Sequence, residues 1–236
     1  MTIMNSKIFV INLKKNIDRR EKLEKQFKDY NITNYEFIEA VDGSKITEDP
    51  IEIPYGWHRH NVDKKYSKHF KNEEIACLKS HVKAIQRAQD LDLDYAIFLE
   101  DDIILCEDWN ERLPKLLRLT PKTWNHLFLS GLPNERQEGF KSLNFAPFLH
   151  VERSITTLGA FSYVLKKEVF EKVKSGYLSL KYPTDNIIEH LINSKELISY
   201  TLYPFLTYHD NDVKSEIWGS DYPVDHESKR YFVKKL

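Results

Sequence analysis

Tyr95-Ala-Ile-Phe-Leu-Glu-Asp-Asp-Ile-Ile104 is the stretch on which the reading of this chain turns. Its first five residues are uncharged and mostly apolar, and three consecutive acids follow, Glu100, Asp101 and Asp102. A short, bounded apolar run suits a strand buried on both faces of a sheet. Three carboxylates at the end of such a strand repel one another, and a divalent cation with oxygen ligands removes that cost. A strand that stops at an acid cluster therefore places a metal at the carboxyl edge of an α/β sheet, where ligands bind. The same ten residues also suit a polar strand-to-loop turn with solvated acids.

Upstream, residues 7–13 (KIFVINL) read as a buried strand and residues 16–30 as a helix. Asp18 and Glu21 make a capping-box-like start, and Leu23, Phe27 and Tyr30 share a face. Residues 35–40 read as a second strand, ended by Val41-Asp42-Gly43. This β-α-β opening implies a parallel sheet. The stretch from Ser44 to Lys71 is long and irregular, with Pro50, Pro54, Tyr55, Gly56, Trp57, His58, Arg59 and His60. Such a stretch is a functional lid or a disordered loop. Asn72 then caps a helix with Glu73 and Glu74 in its first turn. Ile75, Leu78, Val82 and Ile85 form its core-facing stripe.

Downstream, the pattern predicts a helix over 108–119, a strand over 125–130, a loop over 131–147 and a strand over 159–165. A helix over 167–175 closes at Gly176, Thr184 caps another, and residues 198–202 form a late strand. Residues 209–221 are polar and line a surface or a site, and Tyr231-Phe232-Val233 is a docking point in a charged tail. No linker divides the chain. The expectation is one α/β domain over residues 1–236, with a Rossmann-like, mostly parallel sheet flanked by helices.

The chain has 236 residues, 35 basic and 36 acidic side chains, and a net charge of -1. That balance argues against non-specific nucleic-acid binding, which needs a basic surface, and leaves room only for a local basic patch. Cys77 and Cys106 form no metal-ligand spacing, and two free thiols fit a reducing compartment. No apolar run approaches the roughly 20 residues of a membrane span, and the first residues show no secretory signal. The expected location is the cytoplasm, with peripheral contact at the inner membrane left open.

Several segments together resemble glycosyltransferase family 25, the bacterial lipooligosaccharide galactosyltransferase-like enzymes with collagen-modifying relatives. They are Val10-Ile-Asn-Leu13, Asp18-Arg19-Arg20, Glu39-Ala-Val-Asp-Gly43, Glu74-Ile-Ala-Cys-Leu-Lys-Ser-His81 and Phe98-Leu-Glu-Asp-Asp102. Weaker pieces follow at Gly159-Ala-Phe-Ser-Tyr163, Pro183-Thr-Asp185 and Lys214-Ser-Glu-Ile217. The resemblance implies a GT-A-like fold, with a donor-binding half over about residues 1–130 and an acceptor-side half over about 131–236. It further implies a UDP-sugar donor, a divalent metal (manganese first, magnesium second) and a saccharide acceptor such as lipooligosaccharide. The transfer would be inverting, with galactose the first expectation for the sugar.

Within that frame Glu100 and Asp102, two apart on an extended chain, point to one side and hold the metal. Asp101 then turns toward the ribose or a structural donor. His209 is a candidate further metal ligand, because imidazole suits manganese-type ions. Asn12, Leu13, Arg19 and Arg20 follow the first strand at its carboxyl end, where nucleotides bind. An Arg there pairs with phosphate or packs on uracil, or else sits on a solvated helix face. Asp42 and Gly43 read the ribose or uracil, or simply turn the chain. Ser80 and His81 contact the donor, or serve as hydrogen-bonded structural residues. Asp185 is the general base, or a first-turn helix acid. His58 and His60 in the long loop are better read as exposed, and Tyr55 and Trp57 are candidates to stack on an acceptor sugar. Two other classes use the same acids: a metal-dependent phosphohydrolase, and a non-catalytic sugar-nucleotide or glycan-binding module.

Overall fold

The structure is a computed structural model, and it describes residues 5–47, 49, 51–52, 69–133, 149–154, 157–217, 232 and 234–236. Most of the long loop, with Tyr55, Trp57, His58 and His60, lies outside the described residues. The first half of the chain runs β1 (Ser6–Asn12), α1 (Ile17–Asp29), β2 (Tyr35–Glu39), α2 (Asn72–Asp90), β3 (Tyr95–Glu100), β4 (Ile103–Leu105), α3 (Trp109–Leu119) and β5 (His126–Phe128). The second half runs β6 (Leu132–Pro133), β7 (His150–Arg153), β8 (Thr157–Leu158), β9 (Ser162–Lys166), α4 (Lys167–Leu178), α5 (Thr184–Asn193), β10 (Ser199–Tyr203) and β11 (Thr207–His209).

The central sheet has seven strands in the order β2-β1-β3-β9-β5-β10-β7. β1 is parallel to both β2 and β3, and β5 is parallel to β10. β9 runs against β3 and β5, and β7 runs against β10. Most strands thus share one direction, and the reversed β9 joins two parallel groups.

Alternation along the strands feeds two cores. Phe9, Ile11 and Phe98 pack with Leu78 and Ile85 of α2, Phe170 and Val173 of α4, and Ile187 of α5. Ile8, Val10, Ile97 and Leu99 face the other way, toward Leu23 and Phe27 of α1 and Leu113 and Leu116 of α3. Burying both sheet faces explains why the strands read as continuous apolar runs.

Expectations at four helix ends change: Asn16 rather than Asp18 stands at the cap of α1, and Thr184 is the first residue of α5, with Pro183 at its cap. Gly176 does not close α4, which continues to Leu178. A Cβ at Gly176 would come within 2.9 Å of Ile187 Cγ2, so this glycine is a close-packing point between α4 and α5. Asn72 is the first residue of α2 rather than its cap; the Lys71 N–H donates to Glu74 Oε2 at 3.0 Å. Phe232 of the tail does dock, bridging to Phe205 and stacking against Tyr208 with centroids 5.7 Å apart. Among the described residues no helix is long and apolar enough to cross a membrane.

Candidate active site

β1, β2 and β3 run parallel and end together. Their carboxyl ends open into a cleft of about 810 Å³, measured with the space open to solvent. Leu13, Arg19, Asp42, Gly43, His81 and the three acids line it, and residues 215–217 form its far wall. This is the edge at which α/β sheets bind ligands.

The three acids at the end of β3 take three different partners. Asp101 turns toward β1 and α1. Asn12 Nδ2 donates to its Oδ2 at 2.7 Å, and Arg19 Nη1 donates to its Oδ1 at 3.0 Å. Burial and the neighbouring Asp102 charge still outweigh Arg19 and Asn12, and push Asp101 up to about 6.

Asp102 turns toward the late strand. β4 pairs with β11 antiparallel, with Ile103 opposite His209, and this ladder brings His209 Nε2 to 3.4 Å from Asp102 Oδ2. Burial favours the neutral acid, yet the His209 hydrogen bond and the charges of His209 and Arg19 hold Asp102 below the usual carboxylate range. His209 answers in kind: burial works against its charge, but Asp102 raises it above the ordinary imidazole value. The other oxygen, Asp102 Oδ1, is buried and, among the described residues, makes no hydrogen bond of ordinary geometry. An ionised, buried carboxylate oxygen with no donor is costly unless a cation meets it.

Glu100, expected beside Asp102 at one metal, is instead engaged from α2. His81 Nε2 lies 3.2 Å from Glu100 Oε1, and His81 Nδ1 lies 2.9 Å from the Tyr163 hydroxyl. Cys77, one helical turn before His81, has its Sγ 3.9 Å from Glu100 Oε1 and 3.4 Å from Thr184 Oγ1. Burial and the Glu100 charge push the Cys77 thiol well above its ordinary value.

The remaining expected residues divide. Asn12 sits beneath the cleft and acts through Asp101. Arg20 does not reach the cleft: its guanidinium lies 4.3 Å over the Phe37 ring and Nε donates to Glu24 at 2.9 Å. It occupies the outer face of α1, the alternative the sequence allowed. Ser80 lines the wall but is committed to backbone. Its hydroxyl accepts from Val41 N at 2.8 Å and donates to Ala76 O at 2.6 Å. Asp42 caps the turn Gly43–Lys45, accepting from Ser44 N at 3.1 Å. Gly43 is there because a Cβ would stand 2.8 Å from Glu73 Cα. Asp185 lies in the first turn of α5, directly after Thr184, and its charge is felt at Cys77.

Cys77 was not expected among the site residues, whereas the wall at 214–217 lies within the polar stretch 209–221 that was expected to line a surface or a site. Cys77 and His81 are four apart on one helix face, a spacing that could have flagged them. The wall is anchored from three elements. Arg19 Nη2 donates to Lys214 O at 2.6 Å, Asn16 Nδ2 to Glu216 Oε1 at 3.0 Å, and Lys71 Nζ to Ile217 O at 3.1 Å. Lys15 adds an ion pair to Glu216 at 3.0 Å. Lys15 and Arg19, the basic side chains of the cleft, are thus paired with acids, while its floor carries a cluster of carboxylates.

Comparison with known proteins agrees with the geometry. Residues 5–188 match the family described as glycosyltransferase family 25 (LPS biosynthesis protein). A protein of Acanthamoeba polyphaga mimivirus named as a glycosyltransferase is 41% identical over 116 residues, covering 48% of this chain and 34% of that one. Human procollagen galactosyltransferase 2 is 25% identical over 218 residues, 88% of this chain and 33% of its own. The lipooligosaccharide biosynthesis protein lic2B of Haemophilus influenzae is 27% identical over 241 residues, 92% of this chain and 78% of its own. This chain spans about a third of the length of the mimivirus and human relatives. With 184 consecutive positions covered by the match (188 − 5 + 1), the chain belongs to glycosyltransferase family 25.

Proposed function

We propose that this chain transfers a hexose, galactose in the first instance, from a UDP-sugar to a hydroxyl of a saccharide acceptor such as lipooligosaccharide, on a GT-A-like scaffold. The observation that carries the proposal is the buried Asp102, held below the usual carboxylate range, whose Oδ1 makes no hydrogen bond of ordinary geometry among the described residues, in the lining of a cleft that opens on the parallel strand ends. An acid-floored cleft repels a diphosphate unless a cation lies between them. The donor set fits a hard or borderline ion such as manganese or magnesium: Asp102 as anchor, with Asp101 and His209 beside it. When bound, such a cation supplies positive charge at the departing diphosphate.

The chain's own groups do the rest. Asn12 and Arg19 fix Asp101, and His209 fixes Asp102, so the acids are oriented before donor arrives. The parallel strand ends and the wall at 215–217 confine the nucleotide. Asp185 accepts the proton of the acceptor hydroxyl as its oxygen bonds to the anomeric carbon. The bond from that carbon to the UDP oxygen breaks in the same in-line step, which inverts the anomeric configuration. Glu100 borders the cleft from the α2 side, where it meets His81.

The test is UDP release from a panel of UDP-hexoses, with and without a glycan acceptor, in manganese and in chelator. Acceptor-stimulated release that needs metal is expected. Release that ignores acceptor would assign a hydrolase, and no release from any donor would overturn the proposal.

A further inference from the structure

We propose that Cys77, His81 and Glu100 form a second cation site, distinct from the one at Asp102 and suited to a thiophilic borderline metal, with zinc the best match. One ligand atom from each of the three residues lies within 4.8 Å of the other two. A thiol, an imidazole and a carboxylate are the donor types zinc takes.

Two of the three ligand separations are close to those of a tetrahedron, and the third lies within 4.8 Å. Ordinary zinc bond lengths at tetrahedral angles separate nitrogen from oxygen by about 3.4 Å and sulfur from oxygen by about 3.6 Å. The structure has His81 Nε2 and Glu100 Oε1 3.2 Å apart, and Cys77 Sγ and Glu100 Oε1 3.9 Å apart. The backbone already holds them: Cys77 and His81 share one face of α2, and Glu100 ends β3.

The surroundings are those of a metal-bound histidine. His81 offers Nε2 to the site while Nδ1 rests 2.9 Å from the Tyr163 hydroxyl, and such an outer partner fixes the tautomer and the ring. All three residues line the cleft, so an ion has a way in and a fourth position stays open to solvent or ligand. On binding, the Cys77 S–H bond breaks, its proton leaves to solvent, and a sulfur–metal bond replaces it. The proton between His81 Nε2 and Glu100 is displaced to Nδ1 or, where Nδ1 already carries one, to solvent, and two metal bonds take the place of that hydrogen bond. Ligand softness separates the two sites: thiolate selects zinc, whereas the Asp101 and Asp102 carboxylates, with the His209 imidazole beside them and no sulfur, suit manganese or magnesium.

Cobalt(II) is the probe, because its thiolate complexes absorb strongly in the near ultraviolet and its oxygen-ligated complexes do not. Metal-stripped full-length protein is titrated with cobalt(II) alone, then with zinc. The expected result is a thiolate band that saturates at one equivalent and disappears as zinc displaces cobalt. The band should persist in Asp102→Asn and vanish in Cys77→Ser. His81→Asn should weaken it, and Tyr163→Phe should keep the band while lowering affinity by about 10–100-fold. No band in the wild-type protein overturns the proposal whatever the variants do. An undiminished band in folded Cys77→Ser also overturns it, by moving the thiolate to Cys106. Activity plays no part in this readout, so failure here leaves the transferase proposal standing, and the reverse holds too.

Discussion

His209 Nε2 lies 3.4 Å from Asp102 Oδ2, and this pairing joins the acid-tipped strand in the middle of the chain to a strand near its end. The hydrogen bond helps to keep Asp102 ionised, and its other oxygen is buried without a hydrogen bond of ordinary geometry among the described residues.

Asp102→Asn keeps the size of the side chain and removes its charge. Turnover should fall at least about a hundredfold, the scale of losing one electrostatic stabiliser. Chelation of the wild-type enzyme should abolish turnover and manganese should restore it. A variant with near wild-type turnover in steady-state assays would place the metal elsewhere.

Asp101 makes a prediction about pH. Its folded value of about 6 stands above the ordinary 3.8. Between those values the folded state binds more protons than the unfolded state, so stability falls as pH rises through this window. Two units correspond to about 3 kcal/mol. His209 adds a loss in the same direction at higher pH, because its raised value contributes stability below about 6.5 that disappears once the folded group deprotonates. Urea denaturation of the metal-free protein from pH 4 to 7 should show the decline. Asp101→Asn should flatten the lower part of it, and an unchanged slope would refute the assignment.

Arg19 holds Asp101 at 3.0 Å and Asp102 at 3.9 Å with only a tenth of its side chain exposed. Arg19→Ala leaves adjacent buried acids uncompensated and also frees the wall at Lys214. The expected cost is about 3 kcal/mol, read as a lower urea midpoint with an unchanged slope. Divalent cation should recover part of it. A midpoint within error of wild type would mean that the pair is only a surface contact.

Asp185→Asn separates two roles. As a general base, Asp185 should cost about 10²–10⁴-fold in turnover with donor affinity nearly unchanged. As a helix-start acid it should cost roughly 0.3–1 kcal/mol of stability and leave turnover intact. Measuring turnover, donor affinity and melting temperature on this one variant decides between them.

Gly43→Ala tests a close approach. The added methyl would meet the backbone of Glu73 at 2.8 Å, and backbone cannot step aside as a side chain can. The variant should lose about 1–3 kcal/mol, the usual cost of overpacking. A melting temperature equal to wild type would show that the turn slides freely past α2.

Much of this architecture was readable from local pattern. β1, α1, β2, α2 and β3 each carry a strong periodic or apolar signal, and their order alone implied the parallel edge at which the cleft opens. Two things were not readable. β4 and β11 are three residues each, too short for any period, so the ladder that delivers His209 to Asp102 left no local trace. The place of β9 between β3 and β5 is a non-local choice that no window of sequence encodes. At the site, Asn12, Arg19 and the acids were legible because they follow strand ends. Arg20 was not separable from Arg19, since one helical step decides which guanidinium turns to the acids and which stacks on Phe37. Pairing Glu100 with Asp102 assumed an extended chain through the triplet, but β3 ends at Glu100 and the chain bends beyond it.

The β4–β11 ladder also sets an order of assembly. The segment that matches the family ends at residue 188, before β10 and β11 are made. A chain emerging from the ribosome can therefore stack β1, α1, β2, α2 and β3 while the Asp102 edge of its cleft still lacks His209 and the residue 215–217 wall. Contacts between distant stretches of chain close late because their loop entropy must be met first. The nascent protein thus carries its acid edge open to water until about the last eighth of the chain arrives, the span from β11 onward (residues 207–236).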